Sequence, residues 1–273
     1  MFWYWPLVYN FILSFMDWNF ISPIKRVVGW TNYITLFNRP VFSAAFKNTF
    51  KYIGGILPLA IVVPLGMAVL LNSVREKSLK QVYETILFVP TVLSFSVACF
   101  VWIWMFSPIG GVIAQIFQAV GLPVISWLAS EKYALWAIVI VSGWRMIGYH
   151  VLLFNTALNS VSHEYIEAAQ IDGASPWRLF WSIKWPLISP TVFFLLITTV
   201  IFASDYVFIP IRILTKGGPF NSSTELVYLV YEYGFRFFNV GLASATAIIA
   251  FLVFLVIALL VYFFGERRVH YDS

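Results

Sequence analysis

Five stretches of this chain, roughly residues 52–72, 84–106, 133–155, 190–213 and 241–264, run for about twenty residues with almost no charge. A helix of about 20 apolar residues crosses the roughly 30 Å of hydrocarbon in a bilayer. Lipid offers no partner to a backbone N–H or C=O, so only helices and closed barrels span it. The apolar runs are continuous and do not alternate, which selects helices. Of the 273 residues, 61% are hydrophobic and 11% charged, whereas soluble domains carry about 25% charged residues. A water-soluble core is therefore excluded. The predicted fold class is all-α: a polytopic transmembrane helical bundle with about five full spans plus a short N-terminal partial span.

The formal charge of +5 does not indicate nucleic acid. The basic residues are scattered over loops and never form a patch interleaved with aromatics, so they read as membrane-flanking groups. The lone cysteine, Cys99, sits inside an apolar run and leaves no disulfide framework. The start has no positive n-region or small-residue cleavage site, so no cleavable signal is expected. Met1–Phe15 is too short for a comfortable span; Trp3, Trp5 and Pro6 read either as the second half of a helix or as a stub lying at the membrane interface. Residues 17–51 follow as a mixed amphipathic loop. Kinks are expected at Pro58, Pro64 and Pro90, which membrane helices tolerate. The whole of 1–273 is read as one transmembrane domain: 1–51 as partial span and loop, 52–264 as core spans, and 156–189 as a polar interruption. Basic residues fall on both sides of the spans, and charge leaves the orientation open.

The interruption at 156–189 is ordered by its own sequence. Ser162 stands at an N-cap position, with Glu164 in the first turn favouring the helix dipole. Ala168 and Ala169 favour helix and leave room for close approach of a partner surface. Asp172-Gly173 breaks the helix, the glycine suiting a left-handed cap, and Ser175-Pro176 restarts it. The second arm is expected to end by Pro186. From these residues alone the elbow is either an interfacial connector between spans or a docking element.

The spacing of the segment adds to this. Glu167-Ala168-Ala169 is followed after three residues by Gly173, and after nine more by Ile183-Lys184-Trp185-Pro186. This resembles the EAA signature of binding-protein-dependent ABC importers, with Trp185 in place of the usual leucine. The outer segments Leu13–Asn19, Val28–Tyr33, Asn48-Thr49, Leu214–Pro219, Ser223-Thr224 and Tyr231–Phe235 are similar to those of sugar-importer permeases of the maltose-transport type. The resemblance implies a further apolar half-span before Pro6. It also implies a cytoplasmic elbow, with residues 1–51 contributing an external loop, in a bacterial cell membrane.

The same resemblance implies that the elbow inserts into a cleft on a separate ATPase subunit, through Glu167, Ala168, Ala169, Asp172 and Gly173. No Gly-x-x-x-x-Gly-Lys-[Ser/Thr] loop occurs in the sequence. The chain is thus expected to be no enzyme and to bind no cofactor, with ATP and Mg held by the partner. The implied assembly adds an ATP-binding dimer, a second homologous permease and an extracytoplasmic substrate-binding protein, and it involves no nucleic acid. ATP-driven closure would tilt the spans in a rigid-body two-state transition. The loop at Gly217-Gly218-Pro219 is either a plain turn or part of the surface or gate meeting the binding protein.

Ionisable residues inside spans are costly and usually face protein or water. Arg145 lies mid-span in 133–155 and Asp205 in the outer half of 190–213, at depths that allow pairing. They are either a structural pair or groups lining the pathway, with Asp205 as a hydroxyl acceptor and Tyr206 adding a hydrogen bond or stacking face. His150 reads as a packed, hydrogen-bonded residue, and no histidine has metal-ligand spacing. Arg145 is the only full cation buried in a span, which favours a neutral sugar or oligosaccharide over glycerol phosphate or a related polyol. An ion-coupled carrier would call for inverted repeats and several buried carboxylates, and neither is visible.

Overall fold

The computed structural model describes residues 4–266, with backbone alone at Phe264 and Glu266. Trp3, Arg267, Arg268 and His270 lie outside the described residues. The chain opens with α1 (Tyr4–Leu13), a two-residue antiparallel pair β1 (Met16–Asp17) and β2 (Arg26–Val27), and α2 (Thr31–Phe37). Pro40 then starts α3 (Pro40–Ala60), which continues as α4 (Val62–Ser73) into a 34-residue apolar span. Residues 17–51 are therefore not a loop throughout. A proline at the first helical position gives up no hydrogen bond, and from there the chain is already span.

The stretch predicted as a single span at 84–106 is a bent pair, α5 (Lys77–Val92) and α6 (Phe95–Met105), meeting at 101°. The break falls at Leu93, whose extended backbone (φ −67°, ψ 140°) ends α5 three residues after Pro90. After α7 (Val112–Ala119) come α8 (Ala134–Asn159) and α9 (His163–Ile171). Next, α10 (Pro176–Leu179), a π-helical turn at Phe180–Lys184 and α11 (Trp185–Ile201) form one 26-residue span. The second arm of the elbow does not stop at Pro186. The wide π turn accommodates the proline, which lacks an N–H and crowds the carbonyl four residues back. The span consequently begins at Pro176 and ends at Ile201, not at 190–213. Asp205 lies past it in α12 (Ala203–Pro210). A π turn at Ile211–Thr215, α13 (Leu226–Tyr231), another π turn at Glu232–Arg236 and α14 (Val240–Glu266) complete the described chain. Among the described residues four helices are long and apolar enough to cross a membrane, or five if the bent pair counts as one span. The fold is an all-α polytopic membrane bundle, as the apolar runs predicted.

The chain divides into two compact units. One comprises the residues up to Ile53 with Phe95–Val141 and Ala203–Val256; the other comprises Gly54–Ser94, Ser142–Phe202 and the chain from Ile257. The first has a core of Leu36, Phe42, Ala45, Leu226, Leu229 and Leu242 with their neighbours. The second is centred on Leu65, Ala68, Val151, Phe154, Leu158 and Ile188.

Two polar side chains on α8 stabilise breaks in neighbouring helices of the second unit. Ala60 ends α3, and the carbonyl of Ala60 would ordinarily accept the N–H of residue 64, but that residue is Pro64. The ring nitrogen Nδ1 of buried His150 lies 2.6 Å from that oxygen and takes the missing partner's place. His150 is thus packed and hydrogen-bonded, as its sequence setting suggested. Similarly, Arg145 Nε donates to the Leu93 carbonyl at the α5–α6 break (2.9 Å), and Thr91 Oγ1 donates to the Arg145 carbonyl (3.0 Å). Gly148 allows α5 to approach: a Cβ there would stand 2.1 Å from the Leu87 carbonyl oxygen.

Candidate functional site

The elbow is built by local hydrogen bonds. Ser162 Oγ accepts from the N–H of Glu164 (3.2 Å) and caps α9. At the other end the N–H of Ala174 bonds to the Ala169 carbonyl (2.9 Å) and that of Gly173 to Gln170 (3.0 Å). This is a Schellman closure, and Gly173 supplies its left-handed residue at φ +76°. Ser175 Oγ then accepts from the N–H of Arg178 (3.3 Å), with Pro176 in the first turn of α10. Both caps and the hinge stand where the residue types predicted them.

Ile166 on the first arm and Phe180 and Trp185 on the second pack against the same apolar core. Between the arms lies a groove of about 410 Å³, lined by Tyr165, Ala168, Ala169, Asp172, Ser182 and Ile183, among others. Glu167, Ala168, Asp172 and Gly173 are exposed, whereas Ala169 is only 8% exposed. Of the five residues assigned to docking, four present themselves and the fifth, Ala169, is buried along the groove.

The three pathway candidates are distributed differently. Asp205 is exposed in the first turn of α12 with half-buried Tyr206 beside it, both in the first unit. Arg145 belongs to the second unit, half-buried, with its Nε on the Leu93 carbonyl. Among the described residues no group of three His, Cys, Asp or Glu side chains is placed to hold a metal.

The sequence reading missed the anchoring of the loop between Lys216 and Glu225. Asn48, Thr49 and Tyr52 form a polar stripe on α3. Asn48 Nδ2 donates to the carbonyls of Asn221 (3.2 Å), Ser222 (2.9 Å) and Thr224 (3.0 Å). Tyr52 Oη donates to the Ser223 carbonyl (2.8 Å), and Thr49 Oγ1 accepts from the N–H of Leu226 (3.2 Å). Gly217 sits at φ +81°, so close that a Cβ would meet Thr224 Oγ1 at 2.4 Å. The available signal was the spacing of these three buried residues along one face of α3, whose other polar residues, Ser43, Lys47 and Lys51, are exposed.

Glu225 closes the loop. Its carboxylate, 1% exposed, accepts the N–H groups of Val227 (2.8 Å) and Tyr228 (2.7 Å) and the hydroxyl of Ser204 (3.1 Å), capping α13. Burial pushes its pKa from 4.5 up to about 7; these three hydrogen bonds pull downward, and the charge of Asp205 adds to the rise. Glu232, about two turns further on, is also raised by burial, opposed by its ion pair with Arg236.

Residues 56–271 match the protein family described as binding-protein-dependent transport system inner membrane component. The chain is 31% identical over 250 residues to the sn-glycerol-3-phosphate transport system permease protein UgpA of Yersinia enterocolitica, covering 91% of this chain and 83% of that one. It is 34% identical over 252 residues to the protein of that name from Escherichia coli, with the same coverage. To that of Agrobacterium fabrum it is 30% identical over 275 residues, covering 99% and 92%. Among solved structures it resembles a bacterial ABC transporter involved in import of the acidic polysaccharide alginate. The TM-score is 0.83 at 25% identity, over 98% of this chain and 90% of that one. The alginate transporter in complex with a pentasaccharide-bound periplasmic protein shares the fold at TM-score 0.84 and 24% identity, over 100% and 91%.

Proposed function

The chain belongs to the family of binding-protein-dependent transport system inner membrane components, and from that premise we propose how it works as an importer's permease subunit. It forms half of a translocation pathway for a sugar or oligosaccharide in the bacterial cytoplasmic membrane. A second homologous permease forms the other half, and an extracytoplasmic binding protein delivers the solute. The elbow faces the cytoplasm and docks on a separate ATP-binding subunit, which holds ATP and Mg. The observation that carries this reading is the elbow itself. Two capped arms around Gly173 share one core and present Glu167, Ala168 and Asp172 outward, in a chain with no nucleotide loop of its own.

Docking is tested by two substitutions. Ala168→Trp enlarges an exposed position and should abolish transport and partner ATPase stimulation while the chain still inserts. Ala169→Trp enlarges the buried one and should do the same by displacing the arm. Normal transport by the Ala169→Trp variant would overturn the docking role.

Asp205 and Tyr206 are assigned to the pathway, Asp205 as hydroxyl acceptor; unchanged apparent affinity in Asp205→Ala would remove it. Arg145 is assigned first to the α5–α6 break, and a pathway role is secondary to that bond. A second substrate reading, glycerol phosphate, is favoured by the similarity to sn-glycerol-3-phosphate permease proteins UgpA. Identifying the ligand held by the co-purifying binding protein separates the two. Uptake that survives a proton ionophore but stops on ATP depletion separates both from an ion-coupled carrier.

A further inference from the structure

The beginning of the fourth span carries a tryptophan ladder that neither the docking surface nor the pathway uses. Trp177, Trp181 and Trp185 follow one another at four-residue steps, with ring centroids 5.5 Å and 5.2 Å apart. In an α-helix a four-residue step over-rotates by about 40°, so such a row drifts around the axis. Here the row passes through the π turn at Phe180–Lys184, whose wider coil under-rotates the same step and brings the rings back into line. Trp177 is 74% and Trp181 44% exposed. Ser182, Ile183 and Pro186 of the same stretch line the groove under the elbow, and the tryptophans do not.

The length of the span identifies what meets this face. Its 26 residues extend about 39 Å at 1.5 Å per residue. Tilted by about 20° they still cover about 37 Å, against a hydrocarbon core of about 30 Å. Several residues must therefore stand outside the hydrocarbon, and the polar end of the span is the Pro176 end, which carries Arg178 and Lys184. Tryptophan suits the headgroup boundary because its ring is apolar while its indole N–H stays wet. Basic side chains beside it are attracted to anionic headgroups.

We infer that Trp177 and Trp181, with Arg178 and Lys184, seat the second arm of the elbow in the headgroup layer of an anionic lipid leaflet, fixing the depth of that arm. The occupant is lipid, not protein. The test uses the assembled importer in nanodiscs containing phosphatidylglycerol. With Cys99→Ala as background, a spin label is placed at Trp181→Cys, with a second at Glu164→Cys for reference. The label at 181 should collide with oxygen several-fold more than with a water-soluble nickel chelate, relative to the label at 164, with or without ATPase subunits bound. A label shielded from both reagents once the ATPase binds assigns the face to a protein partner and overturns the inference. Nickel access equal to that at 164 means that the face is merely solvated, and overturns it too. A measurement independent of cysteine uses lipids brominated high or low on the acyl chain. Trp177→Phe with Trp181→Phe should remove fluorescence quenched more by the shallow bromine. No change in that fraction counts against the ladder.

Discussion

The elbow at 162–178 and the loop at 216–225 are both polar segments closed by a capping side chain and turned by a left-handed glycine. Both have local bonds, in the loop those of Ser223 Oγ to the Gly218 carbonyl and Thr224 Oγ1 to the Gly217 carbonyl, but the loop adds a clasp to a distant helix. In the elbow every closing bond joins residues two to five positions apart, from Ser162–Glu164 to Ala169–Ala174. In the loop the clasp reaches back over 171 to 177 positions, to Asn48, Thr49 and Tyr52. A segment closed on itself can be displaced as a body with its bonds intact. A segment fastened to a distant helix moves with that helix or loses its bonds. The first design suits a part that transmits motion, the second a part that must keep its shape while other elements shift.

The largest expected effect concerns Glu225. Its pKa is raised from 4.5 to about 7, so between those values the folded state holds a proton that the unfolded state has lost. Stability of the loop is therefore complete below pH 4.5 and declines as pH rises through about 7, by on the order of 3 kcal/mol. Glu225→Gln should flatten that dependence, as read from proteolysis of the loop against pH, while the elbow shows none of it. A pH-independent loop in the native chain would contradict the burial assigned to this carboxyl.

Next is the clasp. Asn48→Leu removes the two N–H donors that three loop carbonyls share and should cost about 2–3 kcal/mol, measured as unfolding of the purified complex in mixed micelles. Equal protease resistance of the loop in variant and native chain would show that the clasp is not what holds it. The two glycines give a more direct contrast. Gly217→Ala meets both a left-handed backbone and the Thr224 hydroxyl at 2.4 Å, whereas around Gly173 there is open space. Alanine should cost about 2 kcal/mol or more at 217 and about 1 kcal/mol at 173. Equal losses would mean that the loop is no more crowded than the elbow. Smallest is Ser162→Ala, about 1 kcal/mol of local helix stability. It should raise amide exchange in 163–171 and leave the loop unaltered.

The same contrast explains what could be read in advance. Ser162, Gly173, Ser175 and Pro176 act on neighbours within one turn, so residue type and order were sufficient. The apolar runs revealed the spans because hydrocarbon thickness acts on length alone. Their boundaries were less legible. Pro186 suggested a helix end, but a π turn absorbs it, and the fourth span starts ten residues earlier at Pro176. Asp205 looked intramembrane because the break at Phe202 carries no glycine or proline to mark it. The Asn48 stripe was not legible because its partners lie more than 170 residues away, and the burial of Glu225 was not because Ser204, which seals it, stands 21 positions back on α12. Long-range polar pairing leaves only faint spacing along the chain.

The bond between His150 and Ala60 has a consequence for heredity. His150 is needed at that carbonyl only because Pro64 cannot serve it. Losing His150 should be harmful beside Pro64 and nearly silent beside an alanine there, since the helix would then satisfy its own oxygen. The two positions form one epistatic pair across two helices. A lineage free to discard the histidine must first have replaced the proline.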